Sequence, residues 1–510
     1  MQGKKQQQEQ FFLSVQLSDL VQEDNFYRML KKVLEPQMQF LYKDTKYLYG
    51  DTGNPGIDPV VFFKLILVAY LENIVSDRKL VKMSAMRLDI LFFLGYHLGE
   101  SLPFHSTISW TRQLYPKELF ERLFNQVFGM CVQAGMVGGT TQSVDSALVK
   151  ANASVGSMEL KQPQMSVEQF MQESDKENKL PEKETPVSTT TPLTVESKNT
   201  DSNNEQKKSH TSFSNETHYS PSDPDSKLSK KPGKPLNMNY LAGMSTDTDS
   251  RTCGIISHIQ ADFADEGDTK HLITITEKTK ARLEDHDLHL DNILADTNFS
   301  NGENYQYLDK ENIQGFIPPQ AGYKHEMDFI YDEQTDSYSC QNNQVLNYTR
   351  TIITKRGQSQ KEYKSTWESC DSCPFRSTCL AKNGRSKRIT VTAYRKEYGE
   401  AYERVRTKEG RRMKKLRSST VEPVFGSLIN YNGMKQINTK GIEAANKAVL
   451  GAAMAYNLKK LLKFTIKTAK SEAKALKKLC NYRMALLNFL EDLVLEKYLL
   501  NLIRILLIED

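Results

Sequence analysis

Apolar residues recur at helical spacing through the first 128 residues of the chain. Four segments have apolar side chains three and four positions apart: Phe26–Leu41, Val60–Ile74, Ser84–Phe93 and Pro116–Val132. This spacing is typical of amphipathic helices, and the proline and glycine residues between the segments are typical of turns. We predict an all-helical N-terminal domain over residues 1–128.

After residue 128 the pattern changes to strands and helices in alternation. Residues 140–151 have the composition of a strand that includes Asp145, and strands are also predicted at 238–244 and 254–263. Helix, strand, helix and strand then follow in turn, at residues 270–286, 292–296, 302–308 and 315–319. This order predicts an α/β fold for residues 129–151 and 236–470.

Three stretches do not fit that alternation. Residues 152–235 are rich in Ser, Thr, Lys, Glu, Asn and Pro. Such a stretch cannot bury enough apolar surface to offset its ordering entropy, so we predict a disordered insertion within the α/β domain. Residues 324–392 contain four clustered cysteines and form a second predicted insertion. Residues 471–510 are predicted to form a C-terminal helical tail.

Charge is more informative in its distribution than in its total. The 510 residues have a formal net charge of +5, which is too small to indicate nucleic-acid binding by itself. Residues 404–417, however, contain eight basic residues and a single acid, Glu409. The N-terminus has no apolar leader segment, and the most apolar stretch, 484–508, is interrupted by charges. We therefore expect a soluble intracellular protein.

Residues 417–434 combine an apolar helical stripe with a glutamate. The stripe consists of Val421, Val424, Phe425, Leu428 and Ile429. We predict a helix that starts near residues 418–420 with Pro423 in its first turn, or a longer helix in which Pro423 marks a kink. Glu422 is either a capping-box residue that reaches back to Ser419 or a carboxylate directed into an active site.

Two motifs resemble the glutamate segment of insertion-sequence transposases of the DDE type. The first is Val-Glu-Pro-Val-Phe-Gly at 421–426, and the second combines Asn446 with Ala-Tyr-Asn-Leu-Lys-Lys at 455–460. The resemblance implies a ribonuclease-H-like catalytic domain with a cysteine-containing insertion, preceded by an all-α DNA-binding domain. It also implies a bacterial, cytoplasmic and nucleoid-associated enzyme that cleaves transposon ends and joins them to target DNA.

The resemblance further implies a catalytic triad of carboxylates: Asp145, Asp296 and Glu422. Their contexts are Ser-Val-Asp-Ser, Leu-Ala-Asp-Thr-Asn and Thr-Val-Glu-Pro-Val. Mg²⁺ prefers oxygen ligands, and two Mg²⁺ ions held by these carboxylates would activate the attacking oxygen and stabilise the leaving one. Asp262, in an acidic segment with Asp268, is the alternative for the middle position.

Nine residues are predicted to contact DNA. Thr107 and Arg112 lie in Phe104–Arg112, which resembles the family's signature near the end of its N-terminal domain; His105 and Trp110 of this segment are interpreted as packing or capping residues. The other seven are Arg404, Lys408, Arg411, Arg412, Lys415, Arg417 and Lys435.

The chain departs from the wider family pattern in two places. Relatives often have a basic residue seven positions after the glutamate, where this chain has Ile429, and Lys435 is predicted to serve instead. Relatives also often have Gly-Tyr after the second aspartate, where this chain has Thr297-Asn298.

The clustered cysteines predict a structural zinc site. Cys340, Cys370, Cys373 and Cys379 can supply four thiolates to a tetrahedral Zn²⁺. The spacing before the last cysteine is longer than in common zinc ribbons, so partly buried free thiols are the alternative.

The leading prediction for function is a DDE transposase that acts on double-stranded DNA, at terminal repeats and at target sites. The alternative is a non-catalytic or domesticated DNA-binding protein derived from a transposase, and a nuclease that hydrolyses without joining is a third possibility. Because transposases usually act as paired subunits, the resemblance implies a homodimer on DNA. The sequence has no glycine-rich phosphate loop and no His-Glu-x-x-His motif, and so gives no support to nucleotide-driven or zinc-protease chemistry.

Overall fold

The N-terminal part of the chain is helical, as predicted. A computed structural model describes residues 16–466 except 51, 54–55, 162–212, 232, 234, 250–253, 321–322, 324–327 and 355–357, and also describes residue 468. The N-terminal helices are α1 (Leu17–Leu20), α2 (Phe26–Leu34), α3 (Phe40–Thr45), α4 (Pro59–Leu71), α5 (Asp77–Ala85), α6 (Leu88–Leu94), α7 (His105–Leu114) and α8 (Lys117–Gln133).

Helix α4 is the most deeply buried of these because it is apolar on nearly all sides. Asp58 caps its start by accepting hydrogen bonds from the N–H groups of Val60 and Val61, at 2.7 and 3.1 Å. Pro59 occupies the first helical position, where a missing N–H costs little. The helix therefore begins one residue before the predicted segment Val60–Ile74.

Residues 84–93, predicted as a single helix, belong to two helices. The backbone of Arg87 is extended, with φ −115° and ψ 113°, so α5 ends before it and α6 begins after it. The Arg87 side chain forms ion pairs with Glu72 and Asp89, at 3.0 and 2.6 Å. These ion pairs are not visible in the periodicity of apolar residues.

The remaining elements alternate between strands and helices. The strands are β1 (Thr141–Lys150), β2 (Glu159–Leu160), β3 (His218–Tyr219), β4 (Lys227–Ser229), β5 (Asn237–Asp247), β6 (Ile256–Phe263), β7 (Asn292–Leu294), β8 (Gln314–Phe316), β9 (Ile330–Asp332), β10 (Ser337–Ser339), β11 (Val345–Ile353), β12 (Ser359–Ser365) and β13 (Arg388–Thr392). The helices are α9 (Leu272–Glu284), α10 (Gly302–Lys310), α11 (Trp367–Asp371), α12 (Arg376–Cys379), α13 (Arg395–Arg406), α14 (Lys408–Tyr431) and α15 (442–466).

Six of the strands form a mixed sheet, which we call the main sheet. Its order is β6-β5-β1-β7-β8, and β4 pairs with the first residues of β5. Strands β6, β5 and β1 are antiparallel, whereas β1, β7 and β8 are parallel. The predicted mixed α/β architecture is therefore confirmed.

Helix α15 covers the outer edge of β6 with two asparagine side chains. Asn446 bonds both backbone groups of Ala261, at 3.0 and 2.9 Å, and Asn457 bonds both backbone groups of Ile256, at 3.0 and 2.9 Å. Eleven residues of helix and five residues of strand each span roughly 16.5 Å, so the two pairs of groups come into register. These asparagines, part of the motifs that resemble transposases, therefore satisfy a strand edge.

The ends of the predicted disordered insertion, residues 152–235, need correction. Strand β2 pairs with β3, and β4 pairs with β5, so both ends contain ordered backbone. Asp223 and Asp225 accept hydrogen bonds from the N–H groups of Gly441 and Ile442, both at 2.9 Å, at the start of α15. Carboxylates are favourable at a helix N-terminus because of the helix dipole. Residues 162–212 of the predicted insertion lie outside the described residues.

A second sheet, which we call the β-module, occupies residues 330–392. Its strands run β13-β12-β11-β10-β9, and each pair is antiparallel. The β-module has a small core of its own, made of Tyr338, Leu346 and Tyr363. It overlaps the predicted cysteine-containing insertion, residues 324–392.

Of the two helices predicted around Pro423, the structure contains the longer one, α14. It starts after Thr407, whose hydroxyl accepts a hydrogen bond from the N–H of Gly410 at 2.9 Å, and Pro423 lies inside it. Since Ser419 is also inside the helix, Glu422 is not a capping-box residue. The predicted C-terminal tail, residues 471–510, lies outside the described residues.

Candidate functional site

Strand register places Asp145 and Asp296 side by side. Strands β1 and β7 are parallel, with Ser143 opposite Leu294, and each aspartate follows its member of that pair by two residues. Because side chains of a strand alternate between faces, two residues further on returns to the same face. Asp296 lies two residues beyond the end of β7, where it caps a short 3-10 turn, and its charge raises the pKa of Asp145. The two aspartates are therefore near each other at the carboxyl end of β7.

Helix α14 covers this face of the main sheet. Met413 and Leu416 of the helix pack with Leu294 of β7 and Phe316 of β8. This small apolar contact fixes the helix turn that immediately precedes Arg417.

Arg417 connects two of the predicted catalytic carboxylates. Its Nη1 lies 3.3 Å from Oδ2 of Asp145, and its Nη2 lies 3.5 Å from Oε1 of Glu422. The side chains of Arg417 and Asp145 are only 15% and 18% exposed, whereas that of Glu422 is 60% exposed. Asp145 thus meets two residues of α14 through one guanidinium group, although it is 272 positions from Arg417 in the chain.

Burial makes the charged forms of both aspartates costly. It raises the pKa of Asp145, as does the nearby charge of Asp296, although the Ser146 N–H and Arg417 act in the opposite direction. The pKa of Asp296 is also raised, mainly by burial and further by the charge of Asp268. Perturbed carboxylates that repel each other are typical of functional sites, because a bound cation removes both penalties.

The structure adds three residues that the sequence did not single out as site residues. The Ser146 hydroxyl donates a hydrogen bond to Oδ1 of Asp268 at 2.6 Å. Lys231 donates to the carbonyl oxygen of Ser146 at 3.0 Å and lowers the pKa of both Asp145 and Asp296. The only signals in the sequence were the acidic segment after β6 and the basic segment before β5.

Asp262, the alternative for the middle position, has other neighbours. Its Oδ2 accepts a hydrogen bond from the side-chain amide of Gln260 at 2.8 Å and lies 3.4 Å from Nδ1 of His271. Asp268, six residues later, is the member of that acidic segment whose charge acts on Asp296.

The chemistry of the carboxylates suits a divalent cation. Asp145 and Asp296 present partly buried oxygen atoms, the ligand type that Mg²⁺ prefers, in an arrangement that raises the pKa of each. Within the described residues, however, no group of three or more His, Cys, Asp or Glu side chains lies close enough together to hold a metal ion. The magnesium and zinc ligand sets therefore stay predictions.

The predicted DNA contacts of α14 differ in orientation. Lys408, Arg411, Arg412 and Lys415 are all exposed, and none of them forms an ion pair with another described residue. Arg404, on α13, instead donates to the carbonyl oxygen of Gly315 at 3.1 Å. These four predicted contacts are thus open to solvent, whereas Arg417 faces the carboxylates.

The predicted DNA contacts outside α13 and α14 are also diverse. Both terminal nitrogens of Arg112 bond the Asp77 carboxylate, at 2.9 and 2.7 Å, so this arginine joins α7 to α5. Thr107 is half-buried and Lys435 is exposed. Trp110 is 75% exposed, which contradicts its interpretation as a packing residue.

The four clustered cysteines lie in the β-module and are all partly buried. The sulfur of Cys370 is 3.0 Å from the Ser365 hydroxyl, and that of Cys373 accepts a hydrogen bond from Asn342 at 3.7 Å. Cys340 packs against the core of the β-module, and Cys379 ends α12.

Two family models match the chain, and both describe transposases. A transposase domain, DUF772, matches residues 15–114, and a transposase DDE domain matches residues 339–462. The predicted resemblance to DDE transposases is confirmed. The DDE domain match includes Glu422 and the clustered cysteines, while Asp145 and Asp296 lie outside it.

Among solved structures, a cryo-EM structure of a piggyBac transposase synaptic complex with hairpin DNA aligns with 86% of this chain and 78% of its own chain. The identity is 9% and the TM-score is 0.30, values that define neither the fold nor the site. No curated protein matches the chain. Among the described residues, no helix is both long enough and apolar enough to cross a membrane.

Proposed function

We propose that this protein cuts DNA at transposon ends and joins the ends to target DNA, with Asp145, Asp296 and Glu422 as its catalytic metal ligands. The family matches support transposition. The observation that supports the catalytic assignment is that two aspartates with raised pKa values lie near each other at the main sheet, while Arg417, on the helix that contains Glu422, contacts both Asp145 and Glu422.

The order of elements supports a ribonuclease-H-like catalytic domain. Along the chain, three antiparallel strands (β1, β5 and β6) are followed by α9, β7, α10 and β8, and then by the β-module and α14. This is the layout expected of the DDE catalytic domain. In such a layout the first aspartate comes from β1, the second from the end of β7 and the glutamate from the helix that closes the site.

The chain's own residues orient the proposed ligands. The Ser146 N–H donates to Oδ1 of Asp145 at 2.8 Å, which leaves Oδ2 turned toward α14. Asn298 donates from its backbone N–H and from its side-chain amide to the two oxygens of Asp296, at 2.9 and 3.1 Å. Asn298 stands where relatives often have tyrosine, so this departure from the family pattern has a positioning role here.

When bound, two divalent ions supply a Lewis acid to the attacking and leaving oxygens of the phosphodiester. Asp145 and Asp296 would hold them from the sheet side, and Glu422 from the helix side. Lys231, which lies close enough to both aspartates to lower their pKa values, would face the negative charge of the phosphate.

The exposed basic residues of α14 would hold the DNA backbone next to this site. Lys and Arg that neutralise phosphates release counterions, so their removal weakens binding to all sequences and reduces its salt dependence. We expect the double variant Arg411→Gln/Arg412→Gln to lower the slope of log K against log salt by about 2, in fluorescence anisotropy with duplex DNA. Arg404→Gln is the matched control, and an unchanged slope in the double variant would rule out these contacts.

The catalytic assignment is tested by strand transfer with Mg²⁺ and DNA that contains the element's terminal repeats. Loss of a metal ligand removes several kcal/mol of transition-state stabilisation, so Asp296→Asn and Glu422→Gln should each reduce the rate roughly a thousandfold. Asp262→Asn, at the alternative for the middle position, should retain activity. Full activity in Asp296→Asn would show that the assignment is wrong, and nicked products without joined strands would indicate a nuclease.

The proposed partners follow from the same function. A homodimer on DNA would bring two ends together, and light scattering of the protein–DNA complex measures its stoichiometry. A single subunit per DNA end, without pairing, would contradict this part of the proposal.

A further inference from the structure

Arg417 differs from its basic neighbours on α14 because it faces inward. Its side chain is 15% exposed, while Arg411, Arg412 and Lys415 are exposed. Its two terminal nitrogens contact different carboxylates, Asp145 and Glu422. A guanidinium that bridges two carboxylates is a geometry-specific contact that a lysine could not reproduce.

The bridge uses an oxygen that a metal would need. Oδ1 of Asp145 already accepts the Ser146 N–H at 2.8 Å, and Oδ2 is the atom that Arg417 contacts at 3.3 Å. Glu422 is 60% exposed, and the contact described for its carboxylate is Nη2 of Arg417 at 3.5 Å. Arg417 therefore contacts a carboxylate oxygen of each of these two proposed metal ligands.

The position of Arg417 also brings it close to a second class of partner. It ends the basic run 404–417, in which Arg411, Arg412 and Lys415 are exposed on the same helix. A DNA backbone held by that run would offer phosphate oxygens, which arginine binds in the same forked geometry as a carboxylate.

Resting on the function proposed above, we propose that Arg417 competes with the divalent cation for Asp145 and Glu422 and exchanges these carboxylates for a DNA phosphate when DNA binds. Arg417 then acts as a latch that keeps metal affinity low until substrate is present. By linkage, DNA raises the affinity for metal, and metal raises the affinity for DNA by the same factor.

The competition is tested by measuring Mn²⁺ binding to the full-length protein without DNA, by calorimetry or by the electron paramagnetic resonance of free Mn²⁺. We expect Arg417→Gln to bind Mn²⁺ about tenfold more tightly than the wild type, since coupling between sites of this kind typically spans about 5- to 150-fold. Arg412→Gln, an exposed arginine of the same helix, is the matched control and should leave the affinity unchanged. Arg417→Lys keeps the positive charge but lacks the forked guanidinium group. Its Mn²⁺ affinity should therefore lie between those of the wild type and Arg417→Gln.

The same Mn²⁺ measurement, made with a DNA duplex that the protein cannot cleave, distinguishes the latch from a simple effect of charge. The duplex should increase the Mn²⁺ affinity of the wild type but not that of Arg417→Gln. Equal or weaker Mn²⁺ binding by both Arg417→Gln and Arg417→Lys would overturn the latch. Asp296→Asn distinguishes that failure from failure of the proposed function: if Asp296→Asn binds Mn²⁺ like the wild type, the metal site itself is wrong.

Discussion

Asp296 at the main sheet and Asp336 in the β-module have pKa values that shift in opposite directions. Burial raises the pKa of Asp296, and the charge of Asp268 adds to that effect. The pKa of Asp336 is lowered, chiefly by the Tyr363 hydroxyl, which donates to it at 2.6 Å, and also by Tyr331 and Lys361. The neighbours of Asp336 favour its charge, whereas the surroundings of Asp296 oppose it.

This difference separates a carboxylate whose charge stabilises the fold from one whose charge is costly to it. Asp336 joins the β9–β10 turn to β12 through hydrogen bonds, so its charge stabilises the fold of the β-module. Burial opposes the charged form of Asp296, and a bound cation would reduce that opposition. Sites that break a local rule of stability in this way are typical of function.

The largest expected effect concerns the cysteines, because the β-module has only a small apolar core. If they hold a structural zinc ion, removing it should cost the β-module several kcal/mol of stability, at least ~3. Cys373→Ser should abolish zinc binding and hydrogen-exchange protection of β11 and β12, while the main sheet keeps its protection.

Elemental analysis of the purified protein supplies the control for this prediction. Cys131→Ala, a buried cysteine outside the cluster, should retain the zinc content of the wild type. Wild-type protein purified without chelators and free of zinc would favour the alternative of free thiols.

A smaller effect is expected for Asp336→Asn. Asparagine tolerates the positive φ of 44° at this position but loses the charge that accepts the tyrosine and lysine hydrogen bonds. Allowing for partial solvent exposure, we expect a loss of about 1–2 kcal/mol in the unfolding free energy of the β-module at pH 7, measured by hydrogen exchange.

The pH dependence of that loss provides its control. A carboxyl whose pKa is lowered on folding contributes stability above its unfolded pKa of about 3.9, and the contribution disappears as the pH falls through the folded pKa. The unfolding free energies of the variant and the wild type should therefore become equal at acidic pH. A difference that persists below the folded pKa would show that the hydrogen bonds, not the charge, account for the effect.

The smallest effect is expected for Asp296→Asn and has the opposite sign. A carboxyl whose pKa is raised on folding destabilises the fold as the pH rises from its unfolded pKa through its folded pKa, and the penalty remains above that range. Without added metal, Asp296→Asn should be more stable than the wild type at pH 7 by about 0.5 kcal/mol, after allowance for solvent screening. A urea titration measures this, and a destabilised variant would contradict the costly-charge interpretation.

Much of the architecture follows from local patterns in the sequence. The helical N-terminal region, the alternation of strands and helices and the resemblance to DDE transposases were all predicted from spacing and motifs. Pro423 shows the limit of such patterns, because a proline is compatible with either a helix start or a helix interior. The packing of Met413 and Leu416 against Leu294 favours the longer helix, and this contact spans more than a hundred residues of chain.

By itself, the sequence determined which residue types were available: carboxylates at 145, 296 and 422, a basic run before the last of them, and four cysteines in one segment. Only the tertiary structure decided their roles. The parallel pairing of β1 with β7 brought the two aspartates near each other, long-range packing turned Arg417 inward and left Arg412 exposed, and Arg112 and Arg404 acquired protein partners. The physical reason is that spacing within a chain specifies local geometry, whereas charge pairing and burial depend on contacts between distant segments.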